Sequence, residues 1–229
     1  MSRPAKKDSG KGNIEWTRNE LIEAAAKQFA KWGFEGASLS KIRELVDVKN
    51  STIHYHFGSK QGLYDAVTRR LEESLAALIE ELQQHADAAP MERLCICCEK
   101  LQAWVNNQQD FTAIVIQEMM SKQIQDSNEA FYKALGTRLA AISEFIRGND
   151  SGEEWREVQW EIYTVNLLLG ILIGQGVSIA VPLTFGMSDR EYQHKQLDDL
   201  ITTQLLSLTN DRQKAINFLQ QRRPSCFEF

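Results

Sequence analysis

Asn50, Ser51 and Thr52 put three short polar side chains in succession just ahead of an apolar residue, Ile53. Side chains of this kind at the amino end of a helix can reach base edges and phosphates in the major groove of DNA. Tyr55 and His56, one turn further on, carry groups able to hydrogen-bond backbone oxygens of a duplex. Lys60 follows Ser59, a helix-capping residue, so an ammonium and the first free amides of the next helix could together hold a phosphate. Lys49 and His54 belong to the same stretch, and Ser38 stands at the start of the helix before it. The candidate DNA contacts are therefore Ser38, Lys49, Asn50, Ser51, Thr52, His54, Tyr55, His56 and Lys60.

Other chemistries fit less well. His54 and His56 are two apart, which on a helix points them to different sides, so no metal pair is expected. Cys95, Cys97 and Cys98 crowd one apolar segment, where cysteine serves as a small buried residue, although Arg93 lies close enough in sequence to favour a thiolate. No acid, base or nucleophile recurs in a catalytic pattern, so neither an enzyme nor a cofactor is expected.

Apolar residues recur at helical spacing in almost every long segment, and sustained alternation is hard to find, which makes the fold class all-α. Thr17 and Glu20 read as a capping box opening a first helix that Gly33 closes. A second helix fits Ser38 to Val46, and a short third one runs from about Asn50 to His56. Only Asp47, Val48 and Lys49 separate them, the spacing of a helix-turn-helix. A fourth helix follows the Ser59 cap to about Gln84. Further helices are drawn at about 91–106, beginning after Pro90, and at about 110–124, 128–147, 153–181 and 190–208.

Charge divides the chain. Residues 1–60 carry 11 Lys and Arg against 7 Asp and Glu, whereas the remainder carries 15 against 24. A basic end on an acidic body suits a protein that presents one patch to phosphate. The expected organisation is a basic tail at 1–15, a DNA-binding domain at 16–63 and a larger helical effector-binding and dimerisation domain at 64–229. Met1 to Lys11 is charged with no apolar stretch, so the chain reads as cytoplasmic with reduced thiols. Ile162 to Val181 is long enough to raise the question of a membrane span, but Asn166, Gln175 and Ser178 interrupt it; no membrane association is expected.

The run Gly33-Phe34, Ser38, Ile42, Val48, Thr52-Ile53-His54-Tyr55-His56-Phe57, Ser59-Lys60 and Leu63 resembles the amino-terminal pattern of the tetracycline-repressor (TetR) family over about residues 17–64. Three positions depart from it: Asp47 where glycine is usual, Arg43 in place of a small residue, and His54 in place of an aromatic one. The resemblance implies phosphate and base contacts for Thr52, Tyr55, His56 and Lys60. It also implies a homodimer on a palindromic operator, and release by a small effector bound in the carboxy-terminal helices. Apolar residues of about 155–208 are the expected dimer surface, with Gly170 and Gly174 allowing close approach of another helix. Trp104, Phe111, Met119, Phe131 and Tyr163 are the candidate lining of a pocket for an apolar effector. The function expected is a transcriptional repressor. The alternatives are a helical dimerising interaction protein without effector response, or a helical enzyme using the apolar pocket.

Overall fold

In the computed structural model, residues 10–120, 129–148, 155–177 and 188–223 are described. Among them ten helices account for nearly all regular structure, and the one β-type pairing is an isolated bridge between Trp155 and Thr209. The all-α expectation holds.

The chain divides into two compact units. The first comprises residues 1–73 and 109–127, the second 74–108 and 128–229. The boundary thus falls about ten residues beyond the one expected at 63/64, and a segment drawn in the body joins the first unit.

In the first unit, α1 runs Gly10–Gly36, interrupted at Gly33, whose backbone (φ 68°, ψ 176°) is open to glycine at little cost. Because α1 already begins at Gly10, Thr17 and Glu20 lie inside it and do not open it. The amides near Thr17 already have carbonyls one turn upstream, so they need no side-chain cap. α2 is Leu39–Val46 and α3 Asn50–Phe57, and α4, Lys60–Gln83, belongs to this unit as far as Glu73. α6, Gln109–Met120, packs on α1, where Gln117 donates to the Ala30 carbonyl. Phe29, Phe34 and Tyr64 form an aromatic core with centroids 5.0–6.0 Å apart.

The second unit is built around α5, Pro90–Asn107, which opens on proline at its first turn. It packs against α7 (Glu129–Arg147), α8 (Trp160–Val177) and α9 (Asp189–Leu208). α8 starts several residues later than the drawn 153. Residues 155–159 are non-helical, with Trp155 buried beside Thr209 and the Arg156 amide donating to the Leu208 carbonyl. Among the described residues no helix is long and apolar enough to cross a membrane.

A last helix, α10 (Arg212–Arg222), has no counterpart in the sequence reading. Its signals were short but present: Asp211 caps it, accepting from the Lys214 amide at 3.0 Å, and Ala215 and Leu219, four apart, are its buried face. Charge holds it in place. Arg222 pairs with Glu92 and Glu99, and Arg223, just past the helix, with Glu99 and Asp198.

Candidate nucleic-acid interface

The geometry of the reading head is set by the turn between α2 and α3. The Asp47 amide donates to the Glu44 carbonyl and the Val48 amide to the Arg43 carbonyl, the paired bonds of a Schellman ending. That ending needs a left-handed residue, and Asp47 supplies it at φ 55°, ψ 53°. Aspartate is among the few non-glycine residues that visit this region at moderate cost. The departure from glycine in the sequence therefore leaves the turn intact.

Ile42 and Ile53 are fully buried and fix the inner faces of α2 and α3. With Ile53 inward, Ser51, His54 and Tyr55 are exposed and Thr52 and His56 half-buried. Tyr55 is 75% exposed, unusual for so large a side chain and consistent with a residue held out for a partner. Lys49 is also exposed. The side chain of Asn50 lies outside the described residues.

Ser51, Thr52, Tyr55 and His56 line one side of a shallow open hollow of about 450 Å³, and Ile14 and Thr17 of α1 line the other. Arg18 is adjacent, its guanidinium 5.5 Å from the Phe57 ring centroid. Burial, and then the charge of Arg18, lower the His56 pKa below its ordinary 6.5, so the ring is neutral at pH 7 and its tautomer decides whether it donates or accepts. Neither Ile14 nor Arg18 was singled out from the sequence, and Thr17 was read there as a helix cap and not as a DNA contact. The extension of α1 upstream of the expected cap brings Ile14 and Thr17 beside α3, and the available signal was the basic Arg18 flanking an apparent cap.

The remaining candidates are placed differently. Ser38 is the first non-helical residue before α2, but its hydroxyl makes no capping bond. His54 Nδ1 lies 2.9 Å from the Gly58 carbonyl, so this ring closes α3 locally. Ser59 does cap α4, accepting from the Gly62 amide at 3.0 Å. Lys60 turns back toward α1: its Nζ donates to the Glu35 carbonyl at 3.0 Å and sits 4.9 Å from the Phe34 centroid. An ammonium has two further donors to offer.

Of the candidate effector residues, Phe111 is buried on α6 in the first unit, and Trp104 and Tyr163 belong to the second. Trp104 is tied to the middle of α4 by a 2.8 Å bond from Nε1 to Ser74 Oγ. The side chains of Met119 and Phe131 lie outside the described residues. The three clustered cysteines are fully buried; burial, the first cause, lifts the thiol pKa of Cys95 to about 12 and drives those of Cys97 and Cys98 up as well. They are apolar core residues with no thiolate to offer.

Fold and site together define a helix-turn-helix protein with a helical carboxy-terminal body. Residues 21–67 match the family model described as bacterial regulatory proteins, tetR family, so that amino-terminal segment is similar to the corresponding domain of that family. It is 31% identical over 93 residues to the HTH-type transcriptional regulator RutR of Escherichia coli K12, a match covering 40% of this chain and 43% of RutR. It is 32% identical over 65 residues to the HTH-type transcriptional repressor AcnR of Corynebacterium glutamicum, covering 28% and 35%. The match thus spans about two fifths of these relatives' length. A TetR transcription regulator from Haloarcula marismortui shares the fold at a TM-score of 0.63 and 13% identity, covering 86% of this chain and all of that one.

Proposed function

We propose that the protein is a transcriptional repressor that binds a pseudo-palindromic operator as a homodimer and is released by a small-molecule effector. The observation that carries this reading is the polar face of α3, with Ser51 and Tyr55 exposed and Thr52 half-buried, on a buried Ile42/Ile53 frame, set off by a three-residue turn. Thr52 and Ser51 would read bases, Tyr55, His56, Lys49 and Arg18 would hold phosphates, and Lys60 and the uncapped start of α2 at Ser38 would add backbone contacts. The names of RutR and AcnR support transcriptional regulation, and that of AcnR supports repression.

Dimerisation is supported by α8. Ile162 and Ile173 are 56% and 61% exposed, and with Asn166 and the half-buried Leu169 they fall on one stripe at i, i+4, i+7 and i+11. Two such stripes meeting about a two-fold axis would bury them and set the separation of the reading heads. Gly170 and Gly174 do other work: a Cβ at Gly170 would touch Leu200 at 3.4 Å, and one at Gly174 would collide with the Gln196 amide. They permit the close crossing of α8 and α9 within one chain.

A gel shift with the DNA flanking the protein's own gene tests this function. Retardation of that fragment and not of a scrambled one, by a species that sediments as a dimer at micromolar concentration, is the expected result. A monomer, or equal retardation of both fragments, would refute it.

A further inference from the structure

All four cation–ring contacts among the described residues fall between Arg18 and Lys60, within the first unit: Arg18 with Phe57, Lys31 and Lys41 with Trp32, and Lys60 with Phe34. Such pairs occur roughly once per 70–80 residues, so their concentration in this short stretch sets it apart. In the second unit Lys100, Arg222 and Arg223 are paired with carboxylates instead. The difference matters for charge. A carboxylate cancels the charge it holds, whereas a ring holds a cation through its quadrupole and leaves the net charge in place.

Trp32 carries this furthest. Its ring is 49% exposed, and the ammonium groups of Lys31 and Lys41, both exposed residues, lie 5.0 and 5.6 Å from its centroid. Among the described residues neither has a carboxylate partner, although Glu35 stands one turn on from Lys31; Glu44 of α2 pairs with Arg43. Two like charges drawn to one ring repel each other, and an anion in front of both relieves that repulsion. The place of the pair in the fold names the anion. Lys41 is in the first turn of α2, whose start at Ser38 has no side-chain cap, and Lys60 reaches back to the Glu35 carbonyl and the Phe34 ring, two residues beyond Trp32. The pair therefore continues the edge that Ser38 and Lys60 offer to a phosphate backbone, which favours nucleic acid over an acidic protein segment.

We propose that Lys31 and Lys41, positioned by the Trp32 ring, form a second phosphate clamp that grips the operator backbone flanking the bases read by α3. This rests on the DNA-binding reading above. Trp32 touches no base in this scheme. It gathers two long, flexible side chains at one place without neutralising either.

Fluorescence anisotropy of the full-length protein with a labelled fragment from beside its own gene, repeated over a range of salt concentrations, tests the clamp. Each phosphate neutralised contributes about 0.9 to the slope of log affinity against log salt, so Lys31→Gln/Lys41→Gln should make that slope shallower by about two. Affinity near 0.1 M salt should fall about tenfold or more, by the same factor for the native and a scrambled fragment, because phosphate contacts carry no sequence. The thermal midpoint should stay in place, both residues being exposed. Trimming the flanking base pairs should bring the wild-type slope down to that of the double variant and leave the variant's own slope unchanged. Trp32→Leu should reduce the slope and Trp32→Phe should keep it. A slope unaltered in the double variant, or trimming that affects wild type and variant alike, would overturn the clamp, leave an acidic protein as the partner of this patch and spare the reading by α3. A wild-type slope in Trp32→Leu would overturn the positioning by the ring. Wild-type protein that binds neither fragment would overturn the clamp and the regulator reading together.

Discussion

Residue by residue, the proposed reading head would combine side chains that specify with side chains that position, and substitutions should separate them. Thr52→Ala should reduce the preference for operator over a mutated operator by about tenfold, in line with the roughly 1–3 kcal/mol carried by a good base contact. Lys60→Ala should instead weaken binding to every sequence by a similar factor, measured by competition with random DNA. Two backbone positions are sterically determined. A side chain at Gly62 would drive into the Phe57 carbonyl where α3 meets α4, so Gly62→Ala should cost on the order of 1–3 kcal/mol of stability in urea unfolding. At Asp47 the positive φ makes a β-branched residue costly: Asp47→Val should destabilise by about 1 kcal/mol or more, while Asp47→Gly keeps the turn. His56 gives a pH signature. Its folded pKa is depressed, so below about pH 6.5 the unfolded chain takes up a proton that the folded one refuses, and stability falls as the pH drops from 7 to 5. His56→Gln should flatten that part of the profile.

At the scale of elements, the helices that a long apolar period announces were legible: α2 through α7 fall within a few residues of their drawn ranges. The helix-turn-helix spacing was legible too, because buried Ile42 and Ile53 and the Asp47 turn are local features. What the sequence concealed was non-local. The upstream extension of α1 was hidden by a cap-like Thr17 and Glu20, and α10 by its shortness and polarity, since charge pairing with α5 and α9 holds it as much as the burial of Ala215 and Leu219. The assignment of α6 to the first unit depends on its packing against α1, which no periodicity reports. The burial of Gln102 was invisible for the same reason, as a lone glutamine in a helix reads as surface. The clasp gives a direct check. Arg223 and Asp198 are both largely buried, with side chains 9% and 10% exposed, so Arg223→Ala leaves a buried carboxylate short of its partner. A loss of about 3 kcal/mol is expected in thermal or urea melts, with operator affinity at a temperature below the transition unchanged.

For the whole molecule, on the proposed function, the basic excess of the amino-terminal sixty residues would draw that end to a polyanion and the acidic remainder would be repelled, which would bias the encounter toward the reading head. The exposed stripe of α8 would couple two heads into one site. Ile173→Glu should therefore give folded monomers by sedimentation, and their operator affinity should fall far more than that of a single contact variant, because two heads no longer bind as one. The central claim, that α3 and its neighbours read DNA, is tested most directly by fluorescence anisotropy of a labelled fragment from beside the protein's own gene, titrated at several salt concentrations against a scrambled fragment. Saturation by two protomers per site is predicted, with an affinity that falls steeply and linearly in log–log form with salt, and with a preference for the native fragment that disappears in Ser51→Ala/Thr52→Ala. A preference that survives that double substitution, or affinities for the two fragments that coincide at every salt concentration, would contradict it.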